Sequence, residues 1–155
     1  MNLFVYSSLS SHFFLFDAVE SQFVIKFTIK ESEFLNENEG CRIATSAGDT
    51  PHIAPVTYYF EDGFFYFATD YDTKKYANLK KNNKIAISVD IYSPSQHKAV
   101  VVQGTTTFIE KGQQFMHLYD IFFKKFAWVR ENPWKEEEAP FVKITPKTKI
   151  SWGLG

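Results

Sequence analysis

The sequence predicts a mainly β (α+β) domain, an antiparallel β-barrel with a few flanking helices. Three observations predict it. Short runs rich in β-branched and aromatic residues recur along the chain, as in HIAPVTYYF, FFYFAT, KIAISVD and KAVVVQGTTTFIE, and such residues suit a pleated, half-buried surface. Turn signals separate the runs at hairpin distances rather than at the spacing of crossover helices. Neither GxGxxG nor GxxxxGK(S/T), the fingerprints of nucleotide-binding α/β folds, occurs.

Taken in order, FTIKESEFLNENEG reads as a short helix after Thr28 that Gly40 closes. CRIATS is a strand, AGDTP a turn and HIAPVTYYF a second strand. Pro55 has no N–H to give a ladder, which puts that strand at a sheet edge. EDG makes the next hairpin turn, FFYFAT is the third strand and TKKYANLKKN a short helix. KIAISVD is the fourth strand, YSPSQH a loop, and KAVVVQGTTTFIE a long fifth strand in which Gly104 marks a bulge or bend. In KGQQFMHLYDIFFKKFAWVRENP, the residues Phe115, Leu118, Tyr119, Phe122, Phe126 and Val129 recur at helical spacing, and Pro133 ends that helix. WKEEEAP is a charged loop whose Glu136, Glu137 and Glu138 are a solvated run. APFVKITP and TKISWGLG are two closing strands around a Pro-Lys turn.

The 155 residues fit one domain, read as 28–155, with an extension over 1–27 that packs on it as a strand or helix. That extension has no basic n-region, and its longest apolar run is Phe13 to Phe16, so it reads as neither signal peptide nor membrane span. Seventeen basic and 18 acidic residues give a net charge of -1. Such a balance carries no electrostatic footprint for nucleic acid and no polybasic patch for a membrane. Cys41 is the single cysteine, which excludes a disulfide framework, points to the cytoplasm, and reads as a small packed residue. His12, His52, His97 and His117 show no metal-ligand spacing, so no metal site is expected. Ser95 near His97 reads as turn composition rather than as nucleophile and base.

One local charge pattern asks for a reason. In YFATDYDTKKYANLKKNNK the helix begins with Lys74 and Lys75, although a helix N-terminus carries about half a positive charge and favours carboxylates. Thr73 is a good N-cap. Two ammonium groups beside unpaired backbone N–H groups attract anions, and a phosphate monoester fits that chemistry. Solvated surface lysines are the bland alternative.

The order RIATSAGDTPHIAPVTYYF, then DGFFYFATDYDTKKYANLKKNNKIAISVD, then VVVQGTTTFIE resembles the pyridoxamine 5'-phosphate oxidase-like family, the FMN-binding split barrels. The likeness runs from Phe34 to about Lys111, and the Thr-Lys-Lys step opening a helix is its specific part. It implies an antiparallel split β-barrel with an FMN whose phosphate rests on Lys74 and Lys75, helped by Thr73. It places Ala68 and Thr69 at a strand end beside the flavin. It places the backbone of His52, Ile53, Ala54, Pro55, Val56 and Thr57 along the isoalloxazine edge. His52 stands where members often carry Arg, and Thr57 where some carry a phosphate-binding Lys. In the family two chains share each flavin, which implies a homodimer. Gln96, His97 and Lys98 stand where the partner chain offers polar groups, and Trp152 lies in the segment that can cover the ring. The R-x-H-x-R pattern that holds the vitamin substrate in true pyridoxamine phosphate oxidases is absent from TPKTKISWGLG. The resemblance therefore implies an FMN-dependent oxidoreductase acting on another small molecule, with a nicotinamide donor as one option. A deazaflavin-dependent reductase and a non-catalytic flavin- or haem-binding carrier, with His52 or His117 on the iron, are the alternatives.

Overall fold

The computed structural model describes residues 25–155. The expected packing of the N-terminal extension, and His12 within it, fall largely outside the described residues. Helix α1 (Ile29–Glu37) starts at Thr28, where a capping box forms: Thr28 Oγ1 accepts from Glu31 N at 3.2 Å and Glu31 Oε2 accepts from Thr28 N at 2.8 Å. Gly40 does not close this helix as expected. The Asn38 side-chain amide does, donating to Phe34 O at 2.7 Å, and Gly40 opens strand β1 (Gly40–Ala47). A tight turn with Gly48 and Asp49 at φ of 57° and 59° returns the chain into β2 (Thr50–Thr57).

The single strand expected over HIAPVTYYF is two. β2 pairs with β1, whereas β3 (Tyr59–Glu61) pairs with β4 (Phe64–Ala68). Between them Tyr58 is 1% exposed, and its hydroxyl donates to Leu35 O at 2.6 Å. After β4 come α2 (Lys74–Lys81), β5 (Lys84–Ser93), β6 (Gln96–Ile109), α3 (Gln113–Lys125), α4 (Ala127–Glu131) and β7 (Phe141–Trp152). The seven strands form one antiparallel sheet in the order β2-β1-β5-β6-β7-β4-β3. Its two edge strands are consecutive in the chain and are joined only through Tyr58. Such a sheet must curl until its edges approach, which makes it an open, split barrel. Pro55 lies on edge strand β2, as its missing N–H requires.

Three further expectations are corrected. The loop YSPSQH shrinks to a Pro94-Ser95 turn, so Gln96, His97 and Lys98 belong to strand β6. The cross-strand pair Tyr92 and His97 stacks with ring centroids 4.4 Å apart, which favours the longer hairpin. The closing segment is one strand, not two. Gly104 lies opposite Pro146 and Gln103 opposite Thr148, so Lys147 is an extra residue absorbed by a bulge. The helix over 113–131 breaks at Phe126, whose φ of -113° and ψ of 121° are extended.

Phe34, Leu35, Ile43, Phe65, Ile87 and Val100 fill the barrel, and Phe115, Leu118, Phe122, Phe126 and Val129 seal α3 and α4 against Phe141. The second group contains the stripe read at helical spacing. Tyr119 packs against it, partly buried. At the bulge a Cβ on Gly104 would collide with the Thr145 carbonyl oxygen and lie 3.2 Å from Pro146 Cα. Both neighbours are backbone and cannot turn aside. Gly104→Ala is expected to cost about 3 kcal/mol, the upper end for overpacking, read as a lower urea midpoint. An unchanged midpoint would show that the bulge is soft.

Candidate functional site

The strand-to-helix step after β4 is held by its own hydroxyls. Thr69 N donates to Pro140 O at 3.2 Å, which ties the step to the chain entering β7. Thr73 is the N-cap, with φ -79° and ψ 149°, and its Oγ1 accepts from Tyr76 N at 3.4 Å. The same hydroxyl donates to Asp70 O at 2.8 Å and lies 2.9 Å from Thr69 Oγ1. A hydroxyl has one proton. Since that of Thr73 goes to Asp70 O, Thr69 donates to Thr73. Thr73 therefore serves here as the cap, and reaching an anion with its proton means releasing Asp70 O. Tyr71 braces the turn from outside through its hydroxyl, 3.2 Å from Glu110 Oε1. Burial, and then the Glu110 carboxylate, push that phenol up to about 12.

Lys74 and Lys75 occupy the first turn of α2, which contains no carboxylate. Lys74 is exposed and Lys75 half-buried. Asp70 and Asp72 are close in sequence, yet neither lysine forms an ion pair among the described residues. The helix start thus presents two ammonium groups and backbone N–H groups that, by position, have no intrahelical acceptor. Further along, buried Asn78 donates to Thr45 Oγ1 at 3.1 Å, and Asn82 donates to Ser46 O at 3.1 Å. These bonds dock α2 on β1. Thr45 is in turn the cross-strand partner of His52, so the His52 end of β2 and α2 share one neighbourhood. The sequence reading passed over Asn78 and Asn82, although Asn inside a short helix was a usable signal, being a poor helix former unless its amide has a partner. Along β2, His52, Ala54 and Val56 are half-buried while Ile53 and Pro55 face outward. Thr57 ends the strand opposite Gly40. Cys41, 4% exposed on β1, has its thiol pushed up to about 12 by burial, in line with its reading as a packed residue.

Residues 27–152 match the family model Pyridoxamine 5'-phosphate oxidase. The chain belongs to that family. Solved structures with the same fold include a FAD-binding protein from Mesorhizobium loti, at 21% identity and a TM-score of 0.67, covering 83% of this chain and 96% of that one. They also include the FAD-binding protein from Mycobacterium smegmatis, at 19% identity and 0.57, covering 81% and 94%. The haem storage protein HutZ from Vibrio cholerae is similar too, at 10% identity and 0.70, covering 81% and 94%. At such identities these likenesses carry the fold alone. No curated protein matches the chain in sequence.

The pyridoxamine 5'-phosphate oxidase fold divides the expected residues between two poles of the sheet. Ala68 pairs with Phe141, which pairs with Ile109 at one end of β6. Trp152 pairs with Ala99 at the other end, next to Gln96, His97 and Lys98. Ala99 and Ile109 are ten residues apart along β6, about 33 Å at the usual strand rise. One chain does not bring Gln96–Lys98 or Trp152 to the α2 step. At the far pole Trp152 is 48% and Tyr92 80% exposed, and Ile91 and Ile150 add further apolar surface; Ile53 is exposed on β2, beside His52. On the outer face of the sheet a groove of about 540 Å³ runs past Ala44, Ala86 and Gly104, with Lys84 and Lys147 along it. Among the described residues no group of His, Cys, Asp and Glu has the arrangement of a metal site. No helix among them is long and apolar enough to cross a membrane.

Proposed function

We propose that this chain binds FMN at the α2 step, shares it with a second copy of itself, and serves as a flavin-dependent oxidoreductase of the cytoplasm. The observation that carries the reading is the pair Lys74 and Lys75, placed on a helix start without a carboxylate partner among the described residues. Their donors fit a terminal phosphate in kind: two ammonium groups and the first N–H groups of a helix. Two of the solved structures of this fold are named as FAD-binding proteins, which supports a flavin as the ligand class.

Lys74 and Lys75 would hold the phosphate, and Thr69 and Thr73 would fix the turn that aims them. His52, Ile53, Ala54, Pro55, Val56 and Thr57 would offer the free backbone edge of β2 to the ring. Bound flavin would supply the hydride or electron transfer itself. The chain's own part is to orient the ring, anchor its tail and keep water from one face. Gln96, His97, Lys98 and Trp152 of one copy would complete the site of the other, since they stand a strand length from their own α2. The exposed Ile53, Ile91, Ile150 and Trp152 suit such a subunit contact. In this reading the substrate is a small molecule other than pyridoxamine phosphate. A nicotinamide is the electron donor compatible with this chemistry.

Incubation with excess FMN, removal of free ligand and a visible spectrum test the reading. Retained flavin absorbance is expected, with a sedimentation coefficient of a dimer. A spectrum that appears only with a deazaflavin coenzyme, or a Soret band only with haem, would replace FMN by that alternative. The HutZ likeness makes haem the comparison to include. His117 does not fit an axial role at this site, because it lies on α3 beside Glu61, 3.8 Å away, with its side chain 63% exposed. A flavin-loaded chain that sediments as a monomer at micromolar concentration would contradict the shared site.

A further inference from the structure

Lys84 and Lys147, on the outer face of the sheet, have no part in the flavin reading. The groove they flank crosses β1, β5, β6 and β7 and has a volume of about 540 Å³. Ala44, Ala86 and Gly104 keep it clear of large side chains. Two features give it the chemistry of a binding site.

The first is that the backbone fixes where both lysines start. Lys84 opens β5, and Asn82 brackets that start. The Asn82 amide donates to Ser46 O at 3.1 Å, and its carbonyl oxygen accepts from Lys84 N at 3.2 Å. Lys147 is the extra residue of the β7 bulge. In a regular strand Lys147 and Thr148 would point to opposite faces. Here both are exposed and both line the groove, so the bulge re-aims the lysine, a use that bulges have beside functional sites. Only β6 lies between the strands of the two lysines, which sets their backbones two strand spacings apart, about 10 Å. The second feature is the charge. No Asp or Glu lines the groove, and neither lysine has an ion-pair partner among the described residues. A concave surface lined by one sign of charge gathers ions of the other. Thr148 Oγ1 donates to Gln103 Oε1 at 3.3 Å, and with that oxygen engaged the Gln103 amide keeps its N–H groups as further donors.

We infer that this groove binds a small organic dicarboxylate, with one acid group on Lys84, the other on Lys147, and a flat apolar body between them. Two cations set apart across a floor of small residues match an ion whose charges stand at its two ends. A compact anion with a single charge would leave one lysine unanswered, and a cation would meet two like charges. The bonds offered are of the charge-assisted kind, from ammonium to carboxylate, and the volume falls within the range of small-molecule sites. The site is distinct from the start of α2, because Lys74 and Lys75 open that helix whereas Lys84 opens the strand after it.

The test uses the full chain and two probes of one shape, read by titration calorimetry: terephthalate, with an acid group at each end of its ring, and monomethyl terephthalate, with one. Terephthalate is expected to bind at submillimolar concentration and the monoester at least tenfold more weakly. Lys84→Gln and Lys147→Gln should each weaken terephthalate about tenfold and reduce its preference over the monoester. The Lys74→Gln, Lys75→Gln double variant should bind terephthalate as the wild type does. Equal binding of the two probes, or no binding of terephthalate below about 10 mM, would overturn the inference. So would loss of binding in the Lys74→Gln, Lys75→Gln variant, which would move the ligand to the start of α2. The probe comparison is made on the wild-type chain, so it holds whether or not a variant folds and whether or not flavin binds.

Discussion

Glu31→Gln is expected to lower folding stability near neutral pH by about 3 kcal/mol or more, the largest effect of any single polar substitution in this fold. Glu31 is only 4% exposed. Its carboxylate accepts from Thr28 N at 2.8 Å, from Ser151 Oγ at 2.8 Å and from Lys149 Nζ. Lys149 also lies over the Phe27 ring, 5.4 Å from its centroid. The cluster bolts the start of α1 to the last residues of β7, so it joins the two ends of the described chain. Burial alone would push the carboxyl up, but the hydrogen bond and charge of Lys149, with Thr28 N and Ser151, outweigh it and hold the pKa at about 2 against an ordinary 4.5. A folded pKa below the unfolded one means stability that is full above pH 4.5 and is lost as pH falls toward 2. That difference corresponds to about 3 kcal/mol. Removing one partner of a buried pair costs about 3–5 kcal/mol, because the other charge is stranded. Urea titrations of wild type and Glu31→Gln should therefore differ most above pH 5 and converge toward pH 2. A gap independent of pH would mean that packing, not charge, is what the substitution removes.

The second large effect concerns ligand rather than fold. Replacing Lys74 and Lys75 together by Gln should weaken FMN binding by about a hundredfold or more. Each charge-assisted hydrogen bond to the phosphate contributes about 1.5–3 kcal/mol, and about 1.4 kcal/mol is tenfold in affinity. The same double variant without flavin should keep its stability or gain a few tenths of a kcal/mol, since both lysines oppose the α2 dipole and neither has an ion-pair partner among the described residues. Opposite signs for ligand affinity and apo stability distinguish a binding site from a structural one. Unfolding of the apo double variant would make the lysines structural and remove the phosphate anchor from the proposal.

What could be read from the sequence followed from local physics. Thr73 as a cap, α2 after it, the Gly48-Asp49 and Asp62-Gly63 turns and the apolar face of α3 are each decided within a few neighbouring residues. The break at Tyr58 was not legible, because HIAPVTYYF carries no turn residue between Val56 and Phe60 and only the pairing of β3 with β4 shows that the chain changes edges there. Pro146 and Lys147 looked like a turn for a similar reason: a bulge opposite a glycine has the same local composition as a hairpin tip. Within the candidate site, the Thr-Lys-Lys step was visible because its charge is wrong for its place. The Asn78–Thr45 bond that docks α2, and the distance between Trp152 and α2, depend on pairings between residues far apart in the chain. Glu31 is one of three acids in IKESEFLNE, and its partners Lys149 and Ser151 lie more than 100 residues away.

The most direct measurement of the central claim compares FMN with riboflavin on the same protein, by quenching of flavin fluorescence. The two ligands share the ring and the ribityl chain and differ only in the phosphate. If Lys74, Lys75 and the start of α2 hold that phosphate, FMN should bind at least tenfold more tightly than riboflavin, about 1.4 kcal/mol, and the preference should vanish in the Lys74→Gln, Lys75→Gln double variant. Equal affinity of the wild-type chain for FMN and riboflavin would contradict it.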